Sequence, residues 1–483
     1  MDFSGTTLAQ KVKKILLIHP GAIGDVVLLT PMLTLIRERF PHAKITVLCR
    51  TYTKDLLQNH PNVDGVILDE MYAQNLHGIK HIWKLAKELR AHEFDIVIHV
   101  FTDFRFTFAS FLAGIPIRIG DGLKIPAHIF LTHKVPVRLI NLTKHTVEMN
   151  VDLLAPLGIT PKDIPSLTLV SDANAVRKME QLLRQKGLPQ NKPLVAIHLG
   201  TGGNNRAWHP SSFKKLVEIL IHEKDMNIVL AGDKREILAE EEIVRQPIPR
   251  VISFVNKITL QELVALIQLA DIFICGDTGP LHIGAALHKN IVGIYPSKFQ
   301  KPSRWAPWKA PHILLHHPWS CPLVCIPWKC KESYCLDSIP PKEAAEAVTE
   351  LISGRGIRTD KDANIERWRN SITVMVVRND KQDIADANRL MRMLQTNGFH
   401  VVSLNAKSPK HILRVMIEND TGIIHTLPGV SPLKFRLLAH LASSLRWIQT
   451  PPMVFVDLGK PIQDFDTLLE NYRTAFADRG QFS

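Results

Sequence analysis

Asp271–Leu287 reads DIFICGDTGPLHIGAAL, and this stretch decides the fold of the chain. Its apolar start, Ile272–Cys275, is typical of a buried strand in a parallel sheet. Gly276–Pro280 breaks the strand, Thr278 occupies an expected helix N-cap, and Pro280 falls in the first turn. The stretch therefore predicts a strand, a tight turn and the opening of a helix.

The N-terminus of such a helix suits a diphosphate. Its first N–H groups have no partner within the helix, and its dipole favours negative charge. Thr278 and His282 add polar groups, Gly279 allows a close approach, and Asp277 lies beside them. The alternative is an ordinary strand–turn–helix joint with a structural cap, which is the more common arrangement.

A second turn of this kind lies near the N-terminus. His19–Asp25, HPGAIGD, joins the apolar run 13–18 to a helical pattern that contains Pro31. Gly21 and Gly24 allow the backbone to approach a ligand, and the Asp25 carboxylate is suited to take a proton from a hydroxyl nucleophile. Asp25 as a helix-end charge is the alternative. The spacing matches neither GxGxxG nor a P-loop, which would need a lysine.

Strands alternate with helices along the chain, and the pattern restarts after a turn-rich segment at 158–165. This indicates an α/β protein with parallel, doubly wound sheets and ligands at the carboxyl ends of the strands. We expect domains at 1–165 and 166–355 and a further small α/β module at 366–483. Four strands are expected in that module, at ITVMVV, GFHVVSL, TGIIHTL and MVFVDL. It shows neither a glycine-rich phosphate turn nor a catalytic constellation.

Other turns of the second half are candidate donor contacts. LGTGGNNRAW follows a strand; Thr201 and Gly202 form a polar turn, and Arg206 could bring a fixed charge to a phosphate, although a solvated arginine is the common alternative. The turn at Gly232 could line a nucleotide or be a plain βα turn. Trp208 is expected to anchor the core. The basic loop with Lys298, Lys301 and Arg304 could shape the rim of the cleft, with a solvated loop as the favoured interpretation.

Composition bounds the class. The 483 residues include 59 Lys plus Arg against 46 Asp plus Glu, for a net charge of +13, which favours anionic partners without choosing among them. Neither a membrane-spanning run nor a signal peptide is evident, so we expect a cytoplasmic protein. Cys49 and Cys275 fit core positions. The spacing of Cys321, Cys325, Cys330 and Cys335 favours a structural loop with free thiols over a metal site.

Four stretches together resemble glycosyltransferase family nine, the lipopolysaccharide heptosyltransferase family. They are KKILLIHPGAIGDVVLLTPMLTLIRERFPHAKITVL, VAIHLGTGGNNRAWHPSSF, ADIFICGDTGPLHIGAAL and SRWAPW, in family order, within about residues 13–353. The resemblance implies two facing Rossmann-like domains of the GT-B type, with the acceptor site in the first and the nucleotide-sugar site in the second. It also implies an inverting, metal-independent transfer without a cofactor.

The resemblance assigns roles to individual residues. Asp25 aligns with the catalytic base, and Arg206 stands where the family more often has lysine. The family's donor-phosphate residues align with Thr278 and Gly279, next to Asp277 and His282. Together with Arg206 and the turn residues Thr201, Gly202 and Gly232, they make up the expected donor contacts. Gly24, Arg50, Arg105 and Arg118 are the candidate acceptor contacts, each arginine with a surface role as its alternative. The family often has a glycine before the ELVALI helix, where this chain has Val255–Thr259.

The expected function is transfer of a sugar, heptose from ADP-heptose, onto an anionic lipid-linked glycan such as a lipopolysaccharide core. A GT-B enzyme of another branch, either an epimerase or a transferase with a different nucleotide sugar, is one alternative. A non-catalytic basic scaffold or nucleic-acid-binding protein is the other, although no nucleic-acid-binding motif is present. The positive surplus predicts reversible docking on the anionic inner leaflet of the cytoplasmic membrane if the basic residues share a face.

Overall fold

The computed structural model describes residues 11–69, 78–137, 144–201, 207–295, 302–316 and 334–354, and the backbone of four later strands. The architecture below is that of these residues.

The first half is built on one all-parallel sheet. Its strands follow the order β3-β2-β1-β4-β5-β6. They are β1 Lys14–Ile18, β2 Lys44–Arg50, β3 Gly65–Asp69, β4 Ile96–His99, β5 Ile117–Asp121 and β6 His133–Val135. The helices are α1 Ile23–Val27, α2 Thr30–Arg39, α3 Ile79–His92, α4 Phe104–Leu112 and α5 Thr146–Asp152, with 3-10 turns at Thr51–Leu56, Ala127–Phe130 and Ala155–Leu157.

The second half repeats this plan. Its sheet has the order β12-β11-β10-β7-β8-β9. The strands are β7 Leu194–His198, β8 Asn227–Ala231, β9 Val251–Ser253, β10 Ile272–Gly276, β11 Asn290–Ile294 and β12 His312–Leu315. The helices are α6 Ala173–Gln185, α7 Pro210–His222, α8 Ile237–Ile243, α9 Leu260–Leu269, α10 Gly279–Ala286, α11 Pro302–Trp305, α12 Tyr334–Asp337 and α13 Pro341–Ile352, with a 3-10 turn at Lys234–Glu236.

The two sheets have the same topology. Numbered within its own half, each sheet follows the order 3-2-1-4-5-6 of a dinucleotide-binding fold. The strand order reverses between β1 and β4 in one sheet and between β7 and β10 in the other. Ligands of such sheets bind beyond the carboxyl ends of the strands at this reversal, so the fold itself indicates the turns after β1 and β10 as site candidates.

The segment after Asp25 is not one helix, as its apolar pattern suggested, but two. Pro31 cannot donate to the carbonyl of Val27, and its ring disfavours a continuous helix, so α1 ends at Val27 and α2 begins at Thr30. The Thr30 hydroxyl donates to Val27 O at 2.8 Å and satisfies that carbonyl. The break leaves α1 as a single short turn beside the cavity described below.

One apolar core joins the two halves. A cluster of buried side chains runs from α1 and α2 through the connecting helix α6 to β10 and α10. Two further clusters fill the outer faces, one between α3, α4 and the first sheet and one between α7, α13 and the second. The burial of Trp208, which is 3% exposed and donates to Leu336 O at 3.1 Å, agrees with its expected role as an anchor.

The third unit contains a four-stranded parallel sheet in the order β14-β13-β15-β16. The strands are β13 Thr373–Arg378, β14 His400–Asn405, β15 Thr421–Thr426 and β16 Val454–Asp457. These are the four strands expected from the sequence. Helix α4 and strands β5 and β6 of the first half were not anticipated, because FRFTFASFL has no clear helical period and the strands are short and interrupted by charges.

Candidate active site

The two turns singled out in the sequence meet in the structure. Helix α1 packs against helix α10, start to start. A Cβ on Gly279 would lie 2.8 Å from Ile23 Cβ and 3.0 Å from Gly24 N, and one on Gly24 would lie 2.8 Å from His282 Cδ2. Backbone therefore lies against backbone at this contact, and only glycine permits it at these two positions.

A cavity of about 390 Å³ opens beside this contact. It is lined mainly by the first half, with two residues from the second. The lining residues are His19, Pro20, Gly21, Ala22, Asp25, Arg50, Val100, Phe101, Thr102, Asp121, Lys124, Val137, Thr146, Met149, Asn150, Leu153, Arg304 and Trp305. Its charged groups are two carboxylates and three cationic side chains, an arrangement suited to an anionic, hydroxyl-bearing ligand.

Asp25 is half-buried in the wall of this cavity. It is the third residue of α1, and its Oδ2 accepts the N–H of Ala22 at 2.9 Å. The carboxylate therefore stabilises the helix start, which is the alternative role expected of it as a helix-end charge, and it also faces the cavity. One carboxylate oxygen is engaged by this N–H, and the group still has acceptor capacity for a ligand hydroxyl.

His19 forms the neighbouring wall. Its Nδ1 accepts the N–H of Gly21 at 3.2 Å, which places the proton of a neutral ring on Nε2. The ring stacks on Phe101, with the centroids 6.4 Å apart. The turn before α1 is thus held by local hydrogen bonds that aim its backbone and Asp25 at the cavity.

The loop expected to remain in solvent crosses to the first half. His145 shares a hydrogen bond of 2.9 Å with Ala306 O, and the Thr146 hydroxyl donates to Arg304 O at 3.1 Å. Trp308 Nε1 donates to Pro165 O at 3.0 Å. These contacts place Arg304 in the cavity wall, so the favoured interpretation of a solvated loop was wrong for this residue.

Trp305 is held from the other side. The buried Tyr295, which follows β11, donates from its hydroxyl to Trp305 O at 2.8 Å. The Arg304 guanidinium lies 5.6 Å from the centre of the Trp305 ring. Lys298 and Lys301 of the same loop lie outside the described residues.

The three candidate acceptor arginines have different surroundings. Arg50 lies in the cavity wall, with its guanidinium 5.8 Å from the ring centre of Tyr52. Arg105 binds the carboxylate of Asp103, the N-cap of α4, at 2.8 Å. Arg118 donates to the carbonyl of Phe130 at 2.6 Å.

Arg105 and Arg118 do not belong to the cavity lining. Each guanidinium satisfies a local acceptor that its own chain segment creates, which draws it away from the cavity. Burial also lowers the pKa of Arg118 from its ordinary value, without removing its charge. Among the candidate acceptor arginines, the structure brings Arg50 alone to the site, and Gly24 lies at its edge.

The candidate donor residues gather around the start of α10. Thr278 occupies the N-cap position, as expected, but its half-buried side chain makes no capping hydrogen bond to the helix. Asp277 and Thr201 are each 8% exposed, and Thr201 packs beside Gly276. Gly202 and Arg206 lie outside the described residues.

Gly232 takes a structural position. Its carbonyl accepts the N–H of Asn256 at 2.9 Å, and the Glu236 side chain packs over it. Glu236 also accepts the N–H of Asp233 at 2.8 Å. Of the two interpretations of this turn, these contacts fit the plain βα turn.

His282 is 3% exposed beneath the α1–α10 contact. Burial, with His145 nearby, lowers its pKa to about 3, so the ring is neutral. Its Nδ1 has no hydrogen-bond partner among the described residues. A neutral ring at this position can donate or accept one hydrogen bond but brings no charge to a diphosphate.

The segment before the ELVALI helix lacks the glycine that the family often has there, and the structure shows how the chain turns without it. Asn256 adopts φ +55°, the left-handed conformation for which glycine is usual and which asparagine tolerates. Thr259 then caps α9 in a reciprocal box with Glu262. The loop therefore reaches its turn without the glycine.

Burial raises the pKa of the Cys49 thiol to about 11 and that of Cys275 well above its ordinary value, which makes both inert core thiols, as expected. Cys321, Cys325 and Cys330 lie outside the described residues, and Cys335 is buried. Within the described ranges, no group of three His, Cys, Asp or Glu side chains is placed to hold a metal ion. Across the same ranges, each helix is too short or too polar to span a bilayer.

Sequence reasoning missed part of the site. Thr102, Asp121, Lys124 and Asn150 line the cavity but come from three separate segments, namely the loop after β4, the end of β5 with its following turn, and helix α5. Thr102 ties two of these segments together, since its hydroxyl donates to His99 O and accepts the N–H of Asp121, both at 2.9 Å. The position of Asp121 at the carboxyl end of β5 was the only available signal.

The sequence of the chain matches a known protein family. Residues 82–322 match the sequence model of glycosyltransferase family 9 (heptosyltransferase). A putative glycosyltransferase of Haemophilus influenzae is 27% identical over 306 residues, 61% of this chain and 86% of that protein. Lipopolysaccharide heptosyltransferase 3 of Escherichia coli K12 is 28% identical over 296 residues, 59% of this chain and 82% of that protein.

Solved structures agree on the fold. A family 9 glycosyl transferase from Veillonella parvula superposes with a TM-score of 0.60 at 21% identity, covering 71% of this chain and 97% of that one. The ADP-heptose lipopolysaccharide heptosyltransferase II of E. coli gives 0.58 at 20% identity, covering 71% and 99%. The facing sheets are those of the GT-B fold. Residues 82–322 have the sequence of glycosyltransferase family 9 (heptosyltransferase), and the chain is a glycosyltransferase.

Proposed function

We propose that the enzyme transfers heptose from ADP-heptose onto the saccharide core of a lipopolysaccharide, with Asp25 as general base. The observation that carries this proposal is the position of Asp25, in the wall of a cavity that ends at the α1–α10 contact. The names of the heptosyltransferase relatives support the sugar and the acceptor, and the name of the E. coli ADP-heptose heptosyltransferase structure supports the donor.

The base step follows from the carboxylate's surroundings. Asp25 would take the proton of an acceptor hydroxyl while the hydroxyl oxygen forms a bond to the anomeric carbon of the donor. The bond from that carbon to the diphosphate breaks, and ADP leaves with the electron pair. Attack from the face opposite the leaving group inverts the anomeric centre.

The leaving diphosphate needs stabilisation that this chain can supply without a metal. The N–H groups at the start of α10 and the Thr278 hydroxyl, which makes no capping bond, would donate to phosphate oxygens. Arg206, in the turn after β7, would add a fixed positive charge. Asp277, Gly279, Thr201, Gly202 and His282 complete the proposed donor site, whereas Gly232 takes a structural role in it.

An anionic acceptor fits the cavity's charges. Arg50, Lys124 and Arg304 provide cations, and Asp121 provides an acceptor for sugar hydroxyls. Because Arg304 comes from the second half and its backbone binds Thr146 of the first, acceptor and donor sites would be completed together.

The proposed reaction assigns roles to the domains. Residues 1–165 would form the acceptor domain, 166–355 the donor domain, and 366–483 a further module to which we assign no step. The enzyme would work in the cytoplasm, with reversible contact to the inner membrane surface, where it would meet a lipid-linked acceptor.

A donor-and-acceptor matrix tests the proposal. Purified protein is incubated with ADP-heptose, GDP-sugars or UDP-sugars and with heptose-deficient or complete core oligosaccharide, and products are read by mass spectrometry. We expect one added heptose on the deficient core with ADP-heptose alone. Transfer from another nucleotide sugar would move the enzyme to a different branch, and no transfer with any pair would contradict the proposal.

A further inference from the structure

The first half carries an exposed apolar surface beside the mouth of the cavity, which we name the α3–α4 face. Of the twelve large hydrophobic side chains that are exposed among the described residues, seven fall between residues 79 and 129. They are Ile79 (61% exposed), Trp83 (55%), Phe104 (38%), Phe111 (48%), Leu123 (37%), Ile125 (81%) and Ile129 (63%).

These side chains belong to one layer. Helix α3 packs against α4, and α4 packs against the 3-10 turn Ala127–Phe130, all on the same outer side of the first sheet. Phe130 fixes the turn onto α4, because its ring lies 4.8 Å from Phe108 and 5.4 Å from Phe111 between centroids. Five of the exposed residues therefore lie on packed helices, and Leu123 and Ile125 lie in the turn that leads into the 3-10 turn.

The charge of the layer is positive. Helix α3 carries Lys80, Lys84, Lys87 and Arg90 against the single acid Glu88, and the lysines are exposed. The exposed Lys134 adds to the positive charge near the 3-10 turn. The acids of the segment 101–137 are Asp103, which is paired with Arg105, and Asp121, which is buried.

The face is continuous with the site. Lys124 lines the cavity, and its neighbours Leu123 and Ile125 point outward. Phe101 and Thr102 line the same cavity at the chain entry to α4. A ligand whose sugar end lies beside Asp25 would therefore leave the cavity next to exposed isoleucines and lysines.

We propose that the α3–α4 face docks on an anionic lipid surface and holds the cavity mouth at the headgroups; this rests on the proposed lipid-linked acceptor. A membrane-surface site needs large apolar side chains among lysines. The apolar side chains enter the boundary of the acyl chains, and the lysines meet anionic headgroups. A second copy of the chain fits less well, because a symmetric contact would set the lysines of α3 against each other.

Co-sedimentation tests the face. The full chain is mixed with vesicles of phosphatidylethanolamine and phosphatidylglycerol, or of phosphatidylcholine alone, across a salt series. We expect binding to the anionic vesicles that weakens as salt rises. The double variant Ile125→Ser/Ile129→Ser should lower the partition coefficient about tenfold or more, since two large apolar side chains no longer enter the lipid.

Leu238→Ser is the matched control, because Leu238 is 78% exposed on α8 in the second half. It should bind like the wild type, and thermal melts should show all variants folded. Lys80→Gln/Lys84→Gln should reduce the salt-sensitive part of the binding. Wild-type protein that fails to bind at low salt, or a double isoleucine variant that binds undiminished, would overturn the proposal.

Two measurements distinguish lipid docking from the transferase proposal and from self-association. Transfer to a soluble core oligosaccharide should be the same in the double isoleucine variant and the wild type, so a failure of the transferase proposal leaves the vesicle result standing. Sedimentation velocity without lipid should show the same species for both. A wild-type dimer that the double variant abolishes would assign the face to self-association and refute lipid docking.

Discussion

The two six-stranded sheets share one strand order, yet the turns after their strands carry different residues. In the first half the turn after the first strand, β1, carries Asp25. In the second half the turn after the fourth strand, β10, carries Thr278, and Arg206 follows the first strand, β7, in the sequence. The topology sets where ligands can bind, while the residues of each turn set which chemistry they meet. Under the proposed function, one half brings the base and the other stabilises the leaving group.

The strongest test of this division is Asp25→Asn. We expect turnover to fall at least ~100-fold, the usual scale for loss of a positioned base, with donor affinity nearly unchanged. Asparagine can still accept the Ala22 N–H, so the helix start should persist. The measurements are kcat for heptosyl transfer and donor Kd by calorimetry.

Asp172→Asn is the control, because Asp172 caps α6 through the N–H of Ala175 at 2.8 Å without lining the cavity. It should keep wild-type turnover. If Asp25→Asn also turned over normally, Asp25 would be a helix-end charge, and the division between the halves would fail.

The second test removes donor contacts from the other half. Arg206→Ala should weaken nucleotide-sugar binding by about 1.5–3 kcal/mol, the value of a charge-assisted contact, and Thr278→Ala by less. Calorimetry with ADP-heptose measures both. Unchanged donor affinity in the two variants would remove these residues from the donor site.

The contact between the halves gives the third test. Gly279→Ala places a methyl group 2.8 Å from Ile23 Cβ, so α1 and α10 must separate, and we expect kcat/KM to fall about tenfold from this misplacement. The stability loss should be about 1–3 kcal/mol, as for overpacking. Steady-state kinetics and denaturant unfolding are the measurements.

Gly284→Ala is the matched variant in the same helix. Its added methyl would lie 3.0 Å from Phe273 Cδ1, inside the second half alone. It should lose stability but keep kcat/KM. Equal kinetic losses in the two variants would mean that the α1–α10 contact has no special role.

The smallest effect compares a histidine at the end of a strand in each half, the buried His99 and the half-buried His198. His99 ends β4 and His198 ends β7, and burial lowers their pKa values to about 3 and about 4. Both are neutral when folded, so below the unfolded pKa of about 6.5 the unfolded chain binds more protons. The free energy of unfolding should be flat above pH 7 and should fall as pH drops from about 6.5, by roughly 1.4 kcal/mol per pH unit for each histidine.

His99→Leu removes a group that binds a proton in the unfolded chain, so it should flatten part of that acid slope. Neither ring nitrogen of His99 has a hydrogen-bond partner among the described residues, so the substitution breaks no hydrogen bond to them. The exposed His42, replaced by leucine, is the control and should leave the slope unchanged. Urea unfolding between pH 5 and pH 8 provides the data. An identical slope in His99→Leu would show that this ring is not buried as described.

By itself, the sequence determined the periodic elements, the two key turns and their order. A short apolar run such as Ile272–Cys275 is suited to a central strand of a parallel sheet, and a glycine-rich turn before a helix has few conformations. These local preferences predicted Asp25 beside a helix start and Thr278 at an N-cap. They also predicted the four strands of the last unit, because strand patterning depends on neighbouring residues alone.

Only the tertiary structure decided which distant groups share the cavity. Arg304 enters it because His145 and Thr146 of the first half bind the backbone of its loop, and these partners are 161 and 158 residues from the carbonyls that they contact. Arg105 and Arg118 are excluded because nearby acceptors bind their guanidinium groups. Long polar side chains can reach many partners, and the fold selects among them, which is why charge type was predictable here and charge position was not.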